Sequence, residues 1–279
     1  MYGNYQNNSN NSSVNMQALI NSLKDVPAMP NVIMRALSIV KDPASGVKQL
    51  ARIVSCDQSL STKVLTLVNS AYYGFPQQIT SINRAISLIG MSKAKNTIMT
   101  VAMRPMFINQ GDKELWKHSI MTAVGCEYIA NYLKIMNTDE AFVIGFLHDL
   151  GKIVLNIKDA ALYEKVKKIA KENSNIIETE NLFFGTDHCQ MGSLLTKRWQ
   201  LPLLINNTVK YHHNPNASPM PVPCTLVYLV DALVKEEDDF ERLDKDVIKN
   251  LKMNIEQPQI LRENIIAKAE MLLEELSNE

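Results

Sequence analysis

The sequence predicts an all-α protein, a multi-helix bundle whose N-terminal helical subdomain packs on a second helical subdomain. From Met16 onward the apolar residues recur at helical spacing nearly everywhere, and the alternation typical of strands is scarce. Proline and glycine divide this pattern into segments of helix length. A chain of 279 residues is long enough for two halves that each bury a core.

The first part of the chain divides into a polar lead-in and a set of short helices. Residues 1–15, MYGNYQNNSNNSSVN, contain very few aliphatic side chains, so we expect them to be disordered. Residues 16–107 are predicted to form the N-terminal helical subdomain. Thr80 or Ser81, and then Ser92, are placed to cap the helices that follow them.

The second part, residues 108–235, is predicted to form the other helical half. Its apolar spacing places helices near 112–134, 138–156, 160–172, 188–199, 202–213 and 220–235. Residues 236–279 are predicted to be an acidic helical extension, because residues 235–279 hold thirteen acids and seven bases. An apolar stripe on the last helix predicts docking onto the body of the chain, with dimerisation as the alternative. The stripe consists of Ile265, Ile266, Ala269, Leu272, Leu273 and Leu276.

Composition limits the classes of function that fit this chain. Lysine plus arginine and aspartate plus glutamate number 29 each, so no global positive field attracts nucleic acid or anionic lipid. No signal peptide pattern opens the chain, and no apolar run approaches the roughly 18 residues that span a bilayer. We therefore expect a soluble, cytoplasmic protein without membrane contact. The four cysteines are far apart and form no CxxC pair, which predicts small buried side chains and no disulfide framework.

The segment GFLHDLGK, residues 145–152, places charged groups inside an otherwise apolar helical pattern. Burying a charge without a partner costs several kcal/mol. His148 and Asp149 therefore indicate either a hydrogen-bonded pair or a metal site. Lys152 lies one turn after His148 and can contact a phosphate oxygen, or it can snorkel to the surface.

The five histidines extend this segment into a candidate metal site. One ion would be held by two imidazoles and two carboxylates, a set suited to iron, manganese, nickel or zinc. Those residues are His118, His148, Asp149 and Asp231. A second ion would be held by His188, His212 and His213, with Asp149 as the bridge, and two such ions can clamp a phosphoryl group. The alternative is five histidines with separate structural roles.

Two motifs of the N-terminal subdomain have simpler interpretations. The segment VKQLARIVSCDQSLSTKVLTL has the spacing of a helix-turn-helix, but its second helix offers few basic side chains, so we expect no DNA binding. In NSAYYG, Asn69 is expected to end a helix and Gly74 to adopt a positive φ. A partner surface formed by Tyr72 and Tyr73 is the alternative.

The order of H, HD with a trailing GK, H, HH and D resembles the HD superfamily of metal-dependent phosphohydrolases, which are helical bundles. The resemblance implies His118 as first ligand, His148 and Asp149 as the dyad, and Asp231 as last ligand. It also implies His188, His212 and His213 as the further ligands of dinuclear members. Glu114 falls where some HD-GYP members place an extra carboxylate. The NPNASPMPVP that follows His213 replaces the DGxGYP run, so cyclic dinucleotide hydrolysis is not expected.

The wider resemblance is to HDOD domains, the HD-related output domains of bacterial signalling. It rests on the paired prolines, on LARIVSCDQSLSTKVLTLVNSAYYG, on AISLIG and on the later HDLGK and YHH segments, and it covers roughly residues 20–235. HDOD domains are regulatory modules whose HD set is often incomplete, whereas this sequence retains every position.

The resemblance therefore implies a regulatory module with one or two divalent metals, acting through an unidentified signalling protein or small ligand, with a homodimer possible. The alternative is an active phosphohydrolase that uses Asp149 and Lys152, and the sequence leaves enzymatic activity open.

Overall fold

The computed structural model describes residues 23–38, 43–108, 112–173, 175–235, 243–252 and 258–277. Within these ranges every regular element is a helix and none is a strand, which confirms the all-α prediction. The predicted lead-in, residues 1–15, lies outside the described residues. None of the helices in these ranges is long and apolar enough to cross a membrane.

The N-terminal part contains five α-helices. They are α1 (Asn31–Ser38), α2 (Pro43–Ser55), α3 (Gln58–Val68), α4 (Ile82–Ile89) and α5 (Met91–Ile108). Ser81 caps α4, and its side chain accepts a hydrogen bond from the Arg84 amide. The expectation that Ser92 caps α5 is wrong, because α5 already begins at Met91. Gly90, at φ 85°, ends α4 and leads directly into α5, so no separate capping residue fits between the two helices.

The turn after α3 is built as the sequence predicts. The Asn69 side chain donates hydrogen bonds to the Leu65 and Ile79 carbonyls and accepts one from the Ile79 amide. These bonds connect the end of α3 to the loop that precedes α4. Gly74 has a φ of 65°. The apolar side of α3 is buried in the core, in agreement with the structural interpretation of the helix-turn-helix spacing.

The second part contains eight α-helices. They are α6 (Lys113–Leu133), α7 (Thr138–Leu147), α8 (Leu150–Lys158), α9 (Ala160–Asn173), α10 (Ile176–Phe184), α11 (His188–Arg198), α12 (Leu203–Tyr211) and α13 (Pro221–Val234). The prediction of one helix over 138–156 is wrong, since the chain breaks at His148 and Asp149 into α7 and α8. Helix α10 was not predicted. Helix α6 packs against α7 and α13, and α8 packs against α11 and α9.

The C-terminal part consists of a short helix, α14 (Lys245–Ile248), and a long one, α15 (Pro258–Ser277). Helix α15 packs mainly on α6. Four residues of its predicted stripe are buried and the other two are partly buried against the core, so docking onto the body of the chain is confirmed. The Ala71 amide also donates to the Glu275 carboxylate, which connects α15 to the turn after α3.

The backbones of α8 and α11 approach each other closely at Gly151. A Cβ atom on this residue would lie 1.8 Å from the His188 carbonyl oxygen and 2.7 Å from the Gly192 nitrogen. No side chain fits there without separating the two helices. The glycine after HDL therefore brings the start of α11 against the start of α8.

Candidate metal centre

The break between α7 and α8 turns two polar side chains inward. His148 is the C-cap of α7, and Asp149 precedes the first residue of α8. Both residues are almost fully buried, with exposed fractions of 0% and 1%. The interruption of the helix places His148 and Asp149 between α6, α11, α12 and α13, where the other histidines lie.

A first group consists of four side chains, one of which is Asp149 with its Oδ2 atom. His118 Nε2 lies 3.3 Å from His148 Nε2, 3.5 Å from Asp149 Oδ2 and 3.0 Å from Asp231 Oδ1. His148 Nε2 lies 3.1 Å from Asp149 Oδ2 and 3.8 Å from Asp231 Oδ1. These are the four residues that the sequence predicts around a first ion, and one ligand atom of each lies within 4.8 Å of the others.

A second group faces the other oxygen of the same carboxylate. His188 Nε2 and His212 Nε2 lie 3.3 Å and 3.6 Å from Asp149 Oδ1, and 3.3 Å from each other. The ring of His213 lies 4.4 Å from the ring of His212. The structure thus brings six of the seven predicted ligands around the two oxygens of Asp149, and the seventh, His213, lies beside the rings of His188 and His212.

Hydrogen bonds on the far side of three imidazoles fix their orientation. Nδ1 of His148 donates to the Gly145 carbonyl at 2.7 Å, and Nδ1 of His212 donates to the Val209 carbonyl at 3.0 Å. Nδ1 of His188 lies 2.6 Å from a Glu180 carboxylate oxygen. Since these acceptors require Nδ1–H, the Nε2 atoms of the neutral rings present lone pairs to the centre, as in ligating histidines.

These lone pairs require a positive species between them. Two imidazole nitrogens at 3.3 Å, each with a lone pair, repel each other unless a proton or a metal ion lies between them. Among the described residues, Asp149 Oδ1 and Asp231 Oδ1 are buried without a hydrogen-bond partner, which is costly for a carboxylate. Imidazole nitrogens and unpartnered carboxylate oxygens are the donors that iron, manganese, nickel and zinc accept, so the residues fit a divalent ion.

Two lysines compensate part of the negative charge. Lys152 Nζ lies 2.6 Å from Asp149 Oδ2, and Lys235 Nζ lies 2.7 Å from Asp231 Oδ2. Burial alone would raise the pKa of Asp149, but the charges of His148 and Lys152 outweigh it and hold this pKa well below its usual range. Burial lowers the pKa of His148, whereas the carboxylates of Asp149 and Asp231 raise it, to about 9 overall. Without a metal, His148 therefore carries a proton at neutral pH.

Glu180 is a buried carboxylate that the sequence interpretation missed. Its exposed fraction is 0%, and its Oε2 accepts from both the backbone amide and Nδ1 of His188, at 2.8 and 2.6 Å. The Tyr163 hydroxyl donates to Oε1 at 3.2 Å. The segment IIETENLFF places two acids, Glu178 and Glu180, among apolar residues, so the signal that selects Asp231 does not by itself distinguish Glu180.

Two cysteines and Glu114 complete the comparison with the sequence. Cys56 is exposed, so the prediction of four buried cysteines is wrong at the turn between α2 and α3. Cys189 is buried next to the second group, and its Sγ lies 3.9 Å from Nδ1 of His212. One ligand atom each from Cys189, His188, His212 and His213 lies within 4.8 Å of the others, so Cys189 is a candidate ligand that the sequence interpretation missed. Glu114 lies exposed in the first turn of α6 and belongs to neither group of candidate ligands.

Fold and site together define a helical protein with an HD-type arrangement of histidines and aspartates. The sequence model of the HDOD domain matches residues 26–215, and the chain belongs to the HDOD family. The predicted domain boundaries at 107 and 235 stay a prediction.

Two curated relatives are distant. The chain is 23% identical over 255 residues to an uncharacterized protein of Treponema pallidum (strain Nichols). The aligned region covers 86% of this chain and 48% of that protein. It is 24% identical over 128 residues to the uncharacterized protein YuxH of Bacillus subtilis (strain 168), a region that covers 45% of this chain and 29% of that protein. The chain therefore spans less than half the length of these relatives.

Solved structures share the fold. An HDOD domain protein of unknown function from Geobacter sulfurreducens superposes with a TM-score of 0.74 at 23% identity, over 93% of this chain and 98% of that chain. A protein of Marinobacter aquaeolei VT8 superposes with a TM-score of 0.78 at 19% identity, over 97% of this chain and 66% of that chain. A protein of Shewanella amazonensis SB2B superposes with a TM-score of 0.70 at 20% identity, over 93% of this chain and 98% of that chain.

Proposed function

We propose that this chain is a bacterial signal-transduction module that holds two divalent metal ions and acts through interactions with a signalling protein or small ligand, without catalysis. His118, His148, Asp149 and Asp231 would hold one ion. His188, His212 and His213 would hold the other, and Asp149 would contribute one oxygen to each. The Marinobacter protein, which is described as a candidate signal-transduction protein, supports this class of function.

The enclosure of the site is the observation that supports a non-catalytic role. Side-chain exposure is 19% at His118 and at most 7% at His148, Asp149, His188, His212 and Asp231, and His213 is partly buried. A structural metal site has a closed set of protein ligands, whereas a catalytic site keeps a position open for water and substrate. Ions held in this way would fix α6, α8, α11, α12 and α13 relative to each other, and their loss would loosen that arrangement.

A second candidate function is phosphoester hydrolysis, which one local feature favours. His118 and Lys152 are each 19% exposed at the side chain, so this part of the site reaches solvent. A pair of divalent ions supplies an activated water and a clamp for phosphoryl oxygens. Lys152 would add a positive charge for the phosphate, and Asp149 would hold the lysine. The Shewanella protein is described as a candidate phosphohydrolase.

Metal content and turnover together test both candidates. Untagged protein is incubated with manganese, iron, nickel or zinc, desalted and analysed by elemental mass spectrometry. We expect two ions per chain in the wild type, none or one in Asp149→Asn, and two in Asp246→Asn, whose carboxylate is exposed. Absence of bound metal in the wild type would overturn both candidates.

Turnover of p-nitrophenyl phosphate and of nucleotides by the loaded protein separates them. The regulatory proposal predicts no hydrolysis above the Asp149→Asn background. Hydrolysis by the wild type and by Asp246→Asn, with loss in Asp149→Asn, would replace the regulatory proposal with the enzyme.

A further inference from the structure

A buried thiol lies beside the second group of candidate ligands, outside the order of histidines and aspartates that carries the HD resemblance. Cys189 is the second residue of α11, directly after His188, and is 7% exposed. Next to it the ring of His213 lies 5.1 Å from the ring of His188 and 4.4 Å from the ring of His212. The thiol is therefore buried at a point where three imidazoles meet.

The sulfur of Cys189 is not engaged by a strong hydrogen-bond donor. Its Sγ lies 3.9 Å from Nδ1 of His212, but this nitrogen already donates to the Val209 carbonyl at 3.0 Å. Among the described residues the sulfur has no other hydrogen-bond partner. Cys126, by contrast, packs within the apolar core, as an ordinary buried cysteine does. The surroundings of Cys189 are polar and leave the lone pairs of its sulfur available.

The spacing of the four donors suits one ion. One ligand atom each of Cys189, His188, His212 and His213 lies within 4.8 Å of the other three. Zinc binds sulfur at about 2.3 Å and nitrogen at about 2.1 Å, so a nitrogen and a sulfur on one ion are at most about 4.4 Å apart, and two nitrogens at most about 4.2 Å. The group exceeds these limits by at most about 0.6 Å, a difference that small rotations of the side chains cover.

We propose that Cys189 supplies a thiolate ligand to the ion of the second group, and that this group therefore selects zinc. Thiolate favours zinc, whereas manganese prefers oxygen donors. The first group offers nitrogen and oxygen only, so the two groups differ in the ions they prefer. On binding, the thiol proton leaves to solvent and a bond between sulfur and the ion takes its place. The inference rests on the proposed function, because it concerns one of the two ions named there.

A sulfur ligand also closes the second ion to substrate. Three imidazoles, the sulfur of Cys189 and the oxygen of Asp149 make five protein donors, whereas a zinc site has four ligands and at times five. No position then remains for an activated water on this ion. Hydrolysis by a pair of ions requires such a position, so the thiolate favours the regulatory role over the phosphohydrolase.

Cobalt and zinc loading test the sulfur ligand directly. Untagged full-length protein is stripped with a chelator under a reductant and loaded with Co²⁺ or Zn²⁺, and the bound metal is counted by elemental mass spectrometry. Cobalt on a thiolate gives a sulfur-to-cobalt charge-transfer band in the near ultraviolet, and X-ray absorption of a zinc–sulfur pair gives a distance of about 2.3 Å. We expect both signals in the wild type and neither in Cys189→Ser or Cys189→Ala, with unchanged helical circular dichroism.

Two other thiols provide matched controls. Cys224→Ser changes a buried thiol whose Sγ donates to the Ser218 hydroxyl at 3.2 Å, and Cys56→Ser removes an exposed one. Both should keep the band and the zinc–sulfur distance. In a chelator competition, Cys189→Ser should bind zinc at least about tenfold more weakly, since loss of a direct ligand costs no less than loss of its outer partner. Manganese binding should weaken less.

The count of bound ions separates failure of this inference from failure of the proposed function. Two ions bound to the wild type without the charge-transfer band or the zinc–sulfur distance would overturn the inference and leave the proposed function standing. Persistence of the band in both Cys189 variants would also overturn it, because the sulfur would then come from another residue. No bound metal in the wild type would overturn both.

Discussion

Replacing Gly151 by alanine should remove one metal ion and leave the other. The new Cβ would start 1.8 Å from the His188 carbonyl oxygen, and ordinary contacts of a Cβ begin at 3.4 Å. The obstacle is backbone on both sides, so no rotation of a side chain relieves it. The start of α11 must move away from α8 by about 1.6 Å, the difference between these two distances.

That displacement exceeds what a shared ion tolerates. His188 Nε2 and Asp149 Oδ1 lie 3.3 Å apart, and a shift of this size along their line separates them by about 4.9 Å. Two donors that each lie about 2.1 Å from one ion are at most about 4.2 Å apart. The ion held by the second group should therefore be lost. The first group takes its other ligands from α6, the end of α7 and α13, so its ion should remain.

Elemental mass spectrometry and urea unfolding measure the two consequences. We expect Gly151→Ala to fall from two ions per chain to one, and its free energy of unfolding to decrease by about 1–3 kcal/mol from overpacking. Gly90→Ala is the control, because its Cβ meets no atom within 4 Å but its φ is 85°. With a ψ of 156° this residue lies in a region that only glycine adopts readily, so the variant should lose about 1–3 kcal/mol and keep both ions. Two ions bound to Gly151→Ala with wild-type affinity would refute the reasoning.

Three further outcomes follow from contacts already described. Glu180→Gln should weaken metal binding by about 10–100-fold in a chelator competition, because His188 loses its carboxylate partner, while Glu178→Gln should not. Without metal, the free energy of unfolding should decrease as the pH rises from 6.5 to about 9. The reason is that the pKa of His148 is raised to about 9 in the folded protein, so the stabilisation from its proton is complete below pH 6.5 and is lost over this range. Urea unfolding of chelator-treated protein at several pH values measures this change, and a flat profile contradicts it. Asn69→Ala should lower the free energy of unfolding by about 2 kcal/mol through three lost hydrogen bonds, and an unchanged urea midpoint would contradict that.

The helices and the grouping of the histidines could be predicted because both depend on local signals. Helical spacing and the caps fixed most segments, and the resemblance to the HD order assigned His118 and Asp231 to the same group. The break at His148 and Asp149 has no local cause, since the apolar pattern continues through it. It follows from the contacts that Asp149 makes with other helices, and these contacts are not encoded within the segment.

Residues that act through a second element were harder to predict. Glu180 has a role at the site because α10 places its carboxylate against Nδ1 of His188. The residues around Glu180 in the sequence do not predict this contact.

The hydrogen bond between Ala71 and Glu275 has a consequence for synthesis on the ribosome. Its two partners are separated by 204 residues, so at about 5–20 residues per second the first waits roughly 10–40 s for the second. Helix α6 ends 125 residues before α15 begins, so the apolar side of α6 that α15 later covers stays exposed on the nascent chain for roughly 6–25 s. Residues 26–215, the span of the HDOD match, are therefore synthesised before the helix that covers this side of α6.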